Sequence, residues 1–280
     1  MDRRLVITAD DLGVDAATNE AIVELMRDGL VSATTLIPVA PAAADAVDRL
    51  RAAGLGAPRL HFALSSGREW EWAGWRPLAP DVVSLTEEDG TLPVSPAGVE
   101  HRVDPADVAR ELLAQLDWMS RLGLRPTGLD SHAGTLYGFQ GRSLADLAVD
   151  FCAAHDLAFR LPRKLLTVLQ LAVRGLRGAH RRAVQRADEH GVALPEALIS
   201  AWLPGRMVLS YAQLRGEVIA QLRGLPPGTS ELMVHPAPRA AAGRMLPADG
   251  RKRMWELRLL RDPAFHRALR RERISIVPAW

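Results

Sequence analysis

Short runs of apolar residues alternate along the chain with longer segments in which apolar residues recur every three or four positions. The short runs are typical of strands buried in a parallel sheet, and the longer segments are typical of amphipathic helices. The pattern predicts strands at residues 4–8, 31–39, 60–65, 127–132, 157–161, 197–203, 230–235 and 274–278. It predicts helices over residues 15–27, 41–53, 143–155, 211–223 and 251–271, and a further helix that Asp104-Pro105 caps.

The alternation of strand and helix, repeated about eight times, predicts an α/β fold class. We expect an irregular, TIM-like (β/α) barrel, a fold that typically takes about 250 residues. The chain has 280 residues, and we interpret residues 1–280 as a single domain. The sequence contains no Gly-x-Gly-x-x-Gly after the first strand and no Gly-x-x-x-x-Gly-Lys-Ser/Thr motif. The two common nucleotide-binding signatures of α/β chains are therefore missing.

The alternation breaks after Arg163, where residues 164–195 form an Arg-rich segment that we predict to be a helical insertion within the domain. Residues 163–186 contain no acidic residue, and their apolar positions include Leu165 and Leu169. A basic amphipathic helix can cover a site as a lid, form a subunit contact or lie on a membrane surface. We favour a lid or a subunit contact, which would allow a homodimer, and we expect no membrane contact.

The composition is that of a globular chain. Charged residues make up 24% of it and hydrophobic residues 48%, and no run approaches the eighteen apolar residues of a membrane span. Acidic residues near the start interrupt any signal-peptide pattern. Cys152 is the single cysteine, which excludes an internal disulfide framework and a cysteine-rich zinc site. The net charge of +2 does not indicate a polyanionic partner. We therefore expect a cytoplasmic protein that binds no nucleic acid.

Residues that can bind a metal or transfer protons stand near the ends of several predicted strands. The carboxyl ends of barrel strands converge on one face, where active sites of this fold are built. The sequence therefore predicts that these side chains meet. They are Asp10 and Asp11 on the first strand, His61 on the third, Asp130 and His132 on the fourth, Arg160 on the fifth and His235 on the seventh.

Each of these residues also has a purely structural explanation. Asp10 and Asp11 could form a plain turn, and either His61 or His235 could be an ordinary hydrogen-bonded histidine of a strand. Arg160 could pair with any carboxylate. Several independent coincidences of position would be needed if all these explanations held together, so we favour a shared site.

One carboxylate and two imidazoles can hold a single divalent ion and leave positions open for water and substrate. Such an ion lowers the pKa of a water from 15.7 to about 7 and polarises a carbonyl oxygen. A second carboxylate can take the proton of that water, and a further imidazole can protonate an amine leaving group. The residue set therefore indicates a mononuclear hydrolytic site, whose parts are Asp10, Asp11, His61, His132 and His235.

Five segments make the chain similar to a known family. They are ITADDLG with Asn19 in the next helix, LHFALSS, RPTGLDSH, FRLPR and ELMVHPA, in this order. The chain thereby resembles the YdjC-like carbohydrate deacetylases, also called the chitooligosaccharide or diacetylchitobiose deacetylase family. The resemblance implies a metal-dependent hydrolase that removes an acetyl group from an N-acetylated sugar, with a small-molecule carbohydrate as its substrate.

The resemblance also implies a role for most of the site residues. One divalent cation is implied, and the mixed oxygen and nitrogen ligands leave zinc or magnesium open. We assign Asp130 to the substrate side of the site. The positions that match the family pattern imply Asp11, His61 and His132 as metal ligands, Asp10 as general base, His235 as general acid and Arg160 as a residue that orients the base or the substrate.

The chain departs from the family pattern at three places. Thr8 stands where the family has Asn, and Arg59-Leu60 stands where a Gly commonly precedes the first metal histidine. After His132 the chain has Ala-Gly-Thr, where many members have further histidines. The three implied ligands are retained, so the resemblance still implies metal binding. The positions after His132 border the sugar site in the family, so the departure there leaves the identity of the sugar open.

A long loop after the third strand is rich in tryptophan, and Trp70, Trp72 and Trp75 lie in it. Indole faces pack against the apolar face of a sugar ring, so we predict that these three residues bind substrate. The alternative is that they fill space beneath a long loop.

Two other functions remain open from the sequence. A metal-dependent phosphoesterase could use the same pocket, but it would need a second ion and more cations facing the phosphate. A non-catalytic sugar-binding protein could keep the barrel, although binding alone would require neither Asp10 nor His235.

Overall fold

The structure is a computed structural model that describes residues 2–67, 74–139, 141–165 and 174–280. Most strand residues are buried, as expected of a parallel sheet that helices cover, and the last strand is the most exposed. In these ranges they are β1 (Arg3–Leu12), β2 (Ala33–Leu36), β3 (Arg59–Phe62), β4 (Gly128–Ser131), β5 (Ala158–Phe159), β6 (Leu198–Ile199), β7 (Gly228–Val234) and β8 (Ile274–Ile276).

Several helices begin where the sequence offers a side-chain cap or a proline. Asp15 accepts hydrogen bonds from the first turn of α1, and Asp104 does the same for α4, in which Pro105 is the first residue. In the described ranges the helices are α1 (Ala16–Arg27), α2 (Ala43–Ala52), α3 (Val99–Arg102), α4 (Pro105–Arg121), α5 (Ala145–Ala154), α6 (Arg177–His190), α7 (Tyr211–Arg223), α8 (Arg239–Ala242), α9 (Pro247–Leu260) and α10 (Pro263–Arg271).

The predicted α/β fold is confirmed, and the parallel sheet curls into an open half-barrel of seven strands. Their order is β5-β4-β3-β2-β1-β7-β6, so β7 pairs directly with β1. β8 pairs instead with the start of β1, on the edge that β2 uses further along: Leu5 O accepts from Val277 N, and Ile7 O accepts from Ser32 N. In a regular barrel the eighth strand would separate the seventh from the first. The architecture is thus consistent with an irregular, TIM-like barrel.

The helix predicted over residues 251–271 is two helices, and the prediction was wrong on this point. α9 ends before Asp262, and α10 starts at Pro263. Proline cannot continue a helix without losing a hydrogen bond and clashing with the preceding turn. The Asp262 carboxylate caps the new helix by accepting from Ala264 N at 2.7 Å.

The predicted insertion contains α6, which packs beside α5. Arg186 pairs with Asp150 of α5 at 2.5 Å, and His180 Nε2 donates to Pro162 O at 2.8 Å. Residues 166–173 of the insertion lie outside the described residues. In the described part of the chain, no helix is long and apolar enough to cross a membrane.

Candidate metal centre

A bulge near the end of β1 brings two consecutive carboxylates to one site. Between Ala9 and Leu12 the strand advances three residues while β2 advances two, and Asp11 has a φ of 68°. In a regular strand, neighbouring side chains point to opposite faces. The extra residue and the left-handed backbone of Asp11 remove this alternation, so the carboxylates of Asp10 and Asp11 both reach the centre of the sheet's carboxyl edge.

Asp11, His61 and His132 form the cluster that could hold a metal ion. Their ligand atoms all lie within 4.8 Å of one another, and all three residues are buried. Asp11 Oδ1 is 3.4 Å from His61 Nε2 and 3.2 Å from His132 Nδ1. Separations of about 3 to 3.5 Å are those between neighbouring ligands on an ion with bonds of about 2.1 Å. The donor set therefore fits one divalent cation.

Both histidines are oriented by the ring nitrogen that faces away from Asp11. His61 Nδ1 makes a short hydrogen bond to Asp130 Oδ1, and His132 Nε2 lies 3.3 Å from the carbonyl oxygen of Ser66. A nitrogen that donates to such a partner leaves the lone pair of the other nitrogen free for a metal. The cluster thus presents one carboxylate oxygen and two imidazole nitrogens toward a common point.

The surrounding charges act strongly on these groups. Burial opposes the charging of Asp11, but Arg253 and the two histidines outweigh it and hold the pKa of Asp11 well below its usual range. Burial also opposes protonation of His61, yet the charge of Asp130 and hydrogen bonds to Asp11 and Asp130 raise the pKa of His61 to about 10. A cation that binds His61 must displace that proton, because only a neutral imidazole is a ligand.

The other oxygen of Asp11 is held by helix α9. Arg253 Nη1 donates to Asp11 Oδ2 at 2.5 Å. One turn later, Glu256 accepts from the backbone N–H of His235 at 2.8 Å. A single buried face of α9 therefore fixes both the Asp11 carboxylate and the end of β7.

Asp10 is clamped by Arg160. Two parallel hydrogen bonds, Nη1 to Oδ2 at 2.7 Å and Nη2 to Oδ1 at 2.9 Å, fix the plane of the carboxylate. Arg160 Nη2 also lies 3.0 Å from Asp130 Oδ2 and 2.9 Å from Glu231 Oε1. The guanidinium is fully enclosed, and the three carboxylates raise the pKa of Arg160 despite its burial.

Glu231 links the cluster around Arg160 to Arg59, at the start of β3, and to Trp280. Besides Arg160, it accepts from Thr8 Oγ1 at 2.5 Å and pairs with Arg59. Trp280 Nε1 donates to Glu231 Oε2 at 2.6 Å, and the Arg59 guanidinium lies 4.6 Å above the Trp280 ring. Two positions at which the chain departs from the family pattern, Thr8 and Arg59, therefore belong to one buried network.

His235 lies at the edge of the site, on the side of Asp10. Its side chain is 27% exposed, and its Nε2 is 3.8 Å from Asp10 Oδ2. Burial is the largest influence on the ring; it outweighs the charges of Asp11 and Asp10 and lowers the pKa of His235 to about 4. The imidazole is therefore neutral at pH 7 and able to accept a proton.

The structure brings together the seven strand-end residues that the sequence singled out, but not all in the expected surroundings. Asp130, which we had assigned to the substrate side, is buried and contacts His61, Arg160 and Thr35. Trp75 is 3% exposed, and its ring centroid is 5.5 Å from that of His132. Trp70 and Trp72 lie outside the described residues. The sugar-binding role of these residues stays a prediction.

Sequence reasoning missed four buried charged residues of the site: Arg59, Glu231, Arg253 and Glu256. A signal was present for the two on α9. Gly250, Arg253, Glu256 and Leu260 have helical spacing, and all are buried, so charged residues occupy the face that the core covers. Arg59 begins β3 and Glu231 lies within β7, and a charged residue in a strand predicted to be buried is another indication of an interior charge pair.

Sequence comparisons give the family of the chain and two similar proteins. The model of a family described as YdjC-like protein matches residues 4–271. A carbohydrate deacetylase of Geobacillus stearothermophilus is 38% identical over 136 residues, which is 47% of this chain and 50% of that protein. A carbohydrate deacetylase of Brevibacillus brevis is 31% identical over 131 residues, 46% of this chain and 48% of the relative. The matched region spans about half the length of each of these curated relatives.

Solved structures share the fold. A provisionally named cellobiose-phosphate cleavage protein of Enterococcus faecalis superimposes with a TM-score of 0.76 at 20% identity, covering 99% of this chain and 97% of the other. A lactam utilization protein of Thermus thermophilus gives a TM-score of 0.51 at 16% identity, covering 98% of both chains. At these identities the likeness concerns architecture alone.

Proposed function

Because the chain belongs to the YdjC-like protein family, we propose that it is a metal-dependent hydrolase that removes the acetyl group from an N-acetylated sugar. The observation that carries the proposal is the buried cluster of Asp11, His61 and His132, with Asp10 and His235 beside it. Curated relatives named carbohydrate deacetylase support the substrate class.

Asp11, His61 and His132 would hold one divalent ion, zinc or magnesium. When bound there, the ion would lower the pKa of a water molecule and polarise the acyl oxygen. The protein's own contribution at this point is orientation. Asp130 and the Ser66 carbonyl fix the two imidazoles, and Arg253 fixes the carboxylate, so the three ligand atoms need no rearrangement.

Asp10 is the group placed to take the proton of the attacking water. It lies next in the chain to Asp11, and the two hydrogen bonds from Arg160 hold its carboxylate in a fixed plane. As the water oxygen bonds to the acyl carbon, Asp10 accepts the proton that the water releases. Arg160 is thus a positioning residue for the base.

His235 is the group placed to protonate the leaving amine. It is neutral before the reaction, and its Nε2 lies 3.8 Å from Asp10 Oδ2, so the proton that Asp10 takes from water would pass to it once the two side chains come within hydrogen-bond distance. Donation of this proton to the amide nitrogen breaks the carbon–nitrogen bond and releases the free amine and acetic acid, which ionises to acetate. Asp10 and His235 are then returned to their starting charges.

Trp70 and Trp72 remain the residues that we expect to stack on the sugar, with Trp75 beside His132 as part of the support. The charged groups in the described site favour an amide over a phosphate ester. Arg160 and Arg253 are both engaged by carboxylates, so neither presents a free cation to a phosphate.

Acetate release from a panel of N-acetylated mono- and oligosaccharides tests the proposal. We expect hydrolysis that a chelator abolishes and that added zinc or magnesium restores. Asp10→Asn should reduce kcat by about 100-fold or more and leave metal binding unchanged, because general-base catalysis contributes roughly 10² to 10⁴. Hydrolysis that chelator does not affect would contradict metal dependence. An Asp10→Asn variant with undiminished binding of sugar, in a protein that releases no acetate, would indicate a sugar-binding protein.

A further inference from the structure

A cavity of about 420 Å³ opens beside the proposed ion site, between the carboxyl ends of β4 to β7 and the insertion helix α6. Asp10, His61, Arg160 and His235 form its reacting end. The rest of the described wall is mainly apolar. Its side chains come from the segment after β4, from β5 and the insertion, and from β6 and β7, and they include Phe139, Leu161, Leu165, Leu176, Leu198 and Met233.

Most polar side chains of that wall are already engaged within the protein. Among the described residues that line the cavity, the Tyr137 hydroxyl and, at the reacting end, Arg160 Nε are buried without a hydrogen-bond partner. The others make these contacts: Ser131 Oγ accepts from Leu136 N at 3.1 Å, Ser143 Oγ accepts from Ala145 N at 3.2 Å, His180 Nε2 donates to Pro162 O at 2.8 Å and Trp202 Nε1 donates to Gln221 Oε1 at 2.8 Å.

This wall suits an alkyl chain and does not suit a sugar ring. Each hydroxyl of a buried sugar needs a hydrogen-bond partner, and an unpaired one costs free energy. The acetyl methyl group alone would leave most of the cavity unfilled, since a group of that size occupies on the order of 30 Å³. A longer acyl chain would fill the space, while the sugar hydroxyls stay on the open side of the site.

We propose that this cavity binds the acyl side of the amide, and that the enzyme hydrolyses N-acyl amino sugars with chains longer than acetyl, up to about hexanoyl or octanoyl. This rests on the proposed function for its chemistry, and the bond changes are the same. Water adds to the acyl carbon, the carbon–nitrogen bond breaks, and the products are the longer carboxylate and the free amine.

A series of N-acyl glucosamines with acetyl, butanoyl, hexanoyl and octanoyl groups tests the proposal through release of the primary amine. We expect kcat/KM to rise by up to roughly fourfold for each added methylene until the cavity is filled. Binding of the same compounds to the Asp10→Asn variant, measured by calorimetry, should tighten along the series. A second series, methyl and hexyl glycosides of N-acetylglucosamine, should show no such rise.

Leu176→Gln gives the local test, because this half-buried side chain lines the cavity and lies outside the catalytic machinery. It should flatten the dependence on acyl length and leave hydrolysis of the N-acetyl compound unchanged. Leu209→Gln is the matched control, since Leu209 is 82% exposed and is not part of the cavity. The dependence of kcat/KM on acyl length should be the same in Leu209→Gln as in the unaltered protein.

The outcomes separate the two proposals. Hydrolysis of the N-acetyl compound with a flat or falling acyl series would overturn the acyl-cavity proposal and leave the deacetylase proposal intact. A rise with the hexyl glycoside would instead place the apolar group on the sugar side, which also overturns it. Binding that tightens with acyl length in a protein that hydrolyses none of the compounds would support the cavity and refute the deacetylase. An affinity that does not change with acyl length would refute the acyl-cavity proposal, whether or not the protein hydrolyses the compounds.

Discussion

Single polar atoms decide what each site residue can do. Asp130 Oδ1 receives the hydrogen bond of His61 Nδ1, and its Oδ2 lies 3.0 Å from Arg160. A carboxylate behind a ligand histidine fixes the ring and raises its basicity. On these contacts Asp130 acts on His61, the proposed metal ligand, and on Arg160, which holds the proposed base Asp10.

We expect Asp130→Asn to weaken metal binding by about 10- to 100-fold, because the amide keeps the shape of the side chain and loses the charge behind His61. Calorimetric titration with zinc or magnesium measures the change. Asp89→Asn, at an exposed position, serves as the control. If KM for sugar rose while metal affinity stayed constant, our first assignment of Asp130 to the substrate side would be correct instead.

Unlike Asp130, whose oxygens contact His61 and Arg160, Tyr137 has a buried hydroxyl without a hydrogen-bond partner in the described structure. Burial raises the pKa of Tyr137, so the group stays a hydrogen-bond donor. We expect Tyr137→Phe to leave the free energy of unfolding unchanged or raise it by up to about 1 kcal/mol, because it removes a buried hydroxyl that has no partner among the described residues. The hydroxyl lies on the wall that we propose to hold the acyl chain, so kcat/KM for longer N-acyl sugars should stay the same or rise. Denaturant unfolding and steady-state kinetics measure both. A tenfold fall in kcat/KM would show that the hydroxyl donates to a polar group of the substrate, which contradicts an alkyl chain at this position.

At the scale of elements, hydrogen bonds join the end of β1 and the start of α1 into one structural unit. Gly13, which follows the bulge, has a φ of 105° and donates its N–H to Asn19 Oδ1 at 2.7 Å. Asn19 donates in turn to Ala42 O and to Asp45. Asn19 therefore has a structural role in its family motif: it holds the turn that directs Asp10 and Asp11 into the site.

Gly13→Ala should disturb this turn for two reasons. The backbone conformation is unfavourable for alanine, and the added Cβ would lie 3.1 Å from Ile37 O. Gly54→Ala isolates the first reason, because Gly54 has a φ of 65° and open space around it. We expect a loss of about 1 kcal/mol for Gly54→Ala and at least twice that for Gly13→Ala, with loss of activity only in the latter. Thermal and chemical unfolding measure both variants. If Gly13→Ala and Gly54→Ala lost the same stability, the close approach of the new Cβ to Ile37 O would not matter.

Helix α9 is the second element that builds the site. Arg253 and Glu256 are one turn apart, so one face of the helix contacts Asp11 and the backbone of His235 together. The end of β7 and the bulge of β1 are thereby held at a fixed separation, which matters for the proton transfer that we propose from Asp10 to His235.

At the scale of the whole molecule, the interior of the half-barrel is a network of buried charges. Asp10, Asp11, Asp130 and Glu231 face the guanidinium groups of Arg59, Arg160 and Arg253. Buried ion pairs contribute little net stability, and breaking one is costly because a charge is left unpaired. The network therefore serves the geometry of the site more than the stability of the fold.

A divalent ion bound by Asp11, His61 and His132 should stabilise the whole fold. At a metal concentration of 100 times Kd, the expected gain is about 2.7 kcal/mol. Thermal unfolding with chelator and with added zinc or magnesium measures it as a shift in Tm. The shift should persist in Asp10→Asn and vanish in Asp11→Asn. A shift that survives in Asp11→Asn would mean that the ion binds elsewhere.

The sequence by itself determined the α/β class and which polar residues stand near the strand ends, because the spacing of buried positions is a local property and the carboxyl ends of parallel strands converge. It did not determine that Asp262-Pro263 divides the last helical segment or that β8 pairs with the β2 edge of β1. Only the tertiary structure decided which carboxylate orients His61 and which helix holds Asp11. Such partners lie far apart in sequence, and their contacts depend on a bulge and on charge pairing that exist only once the elements have packed.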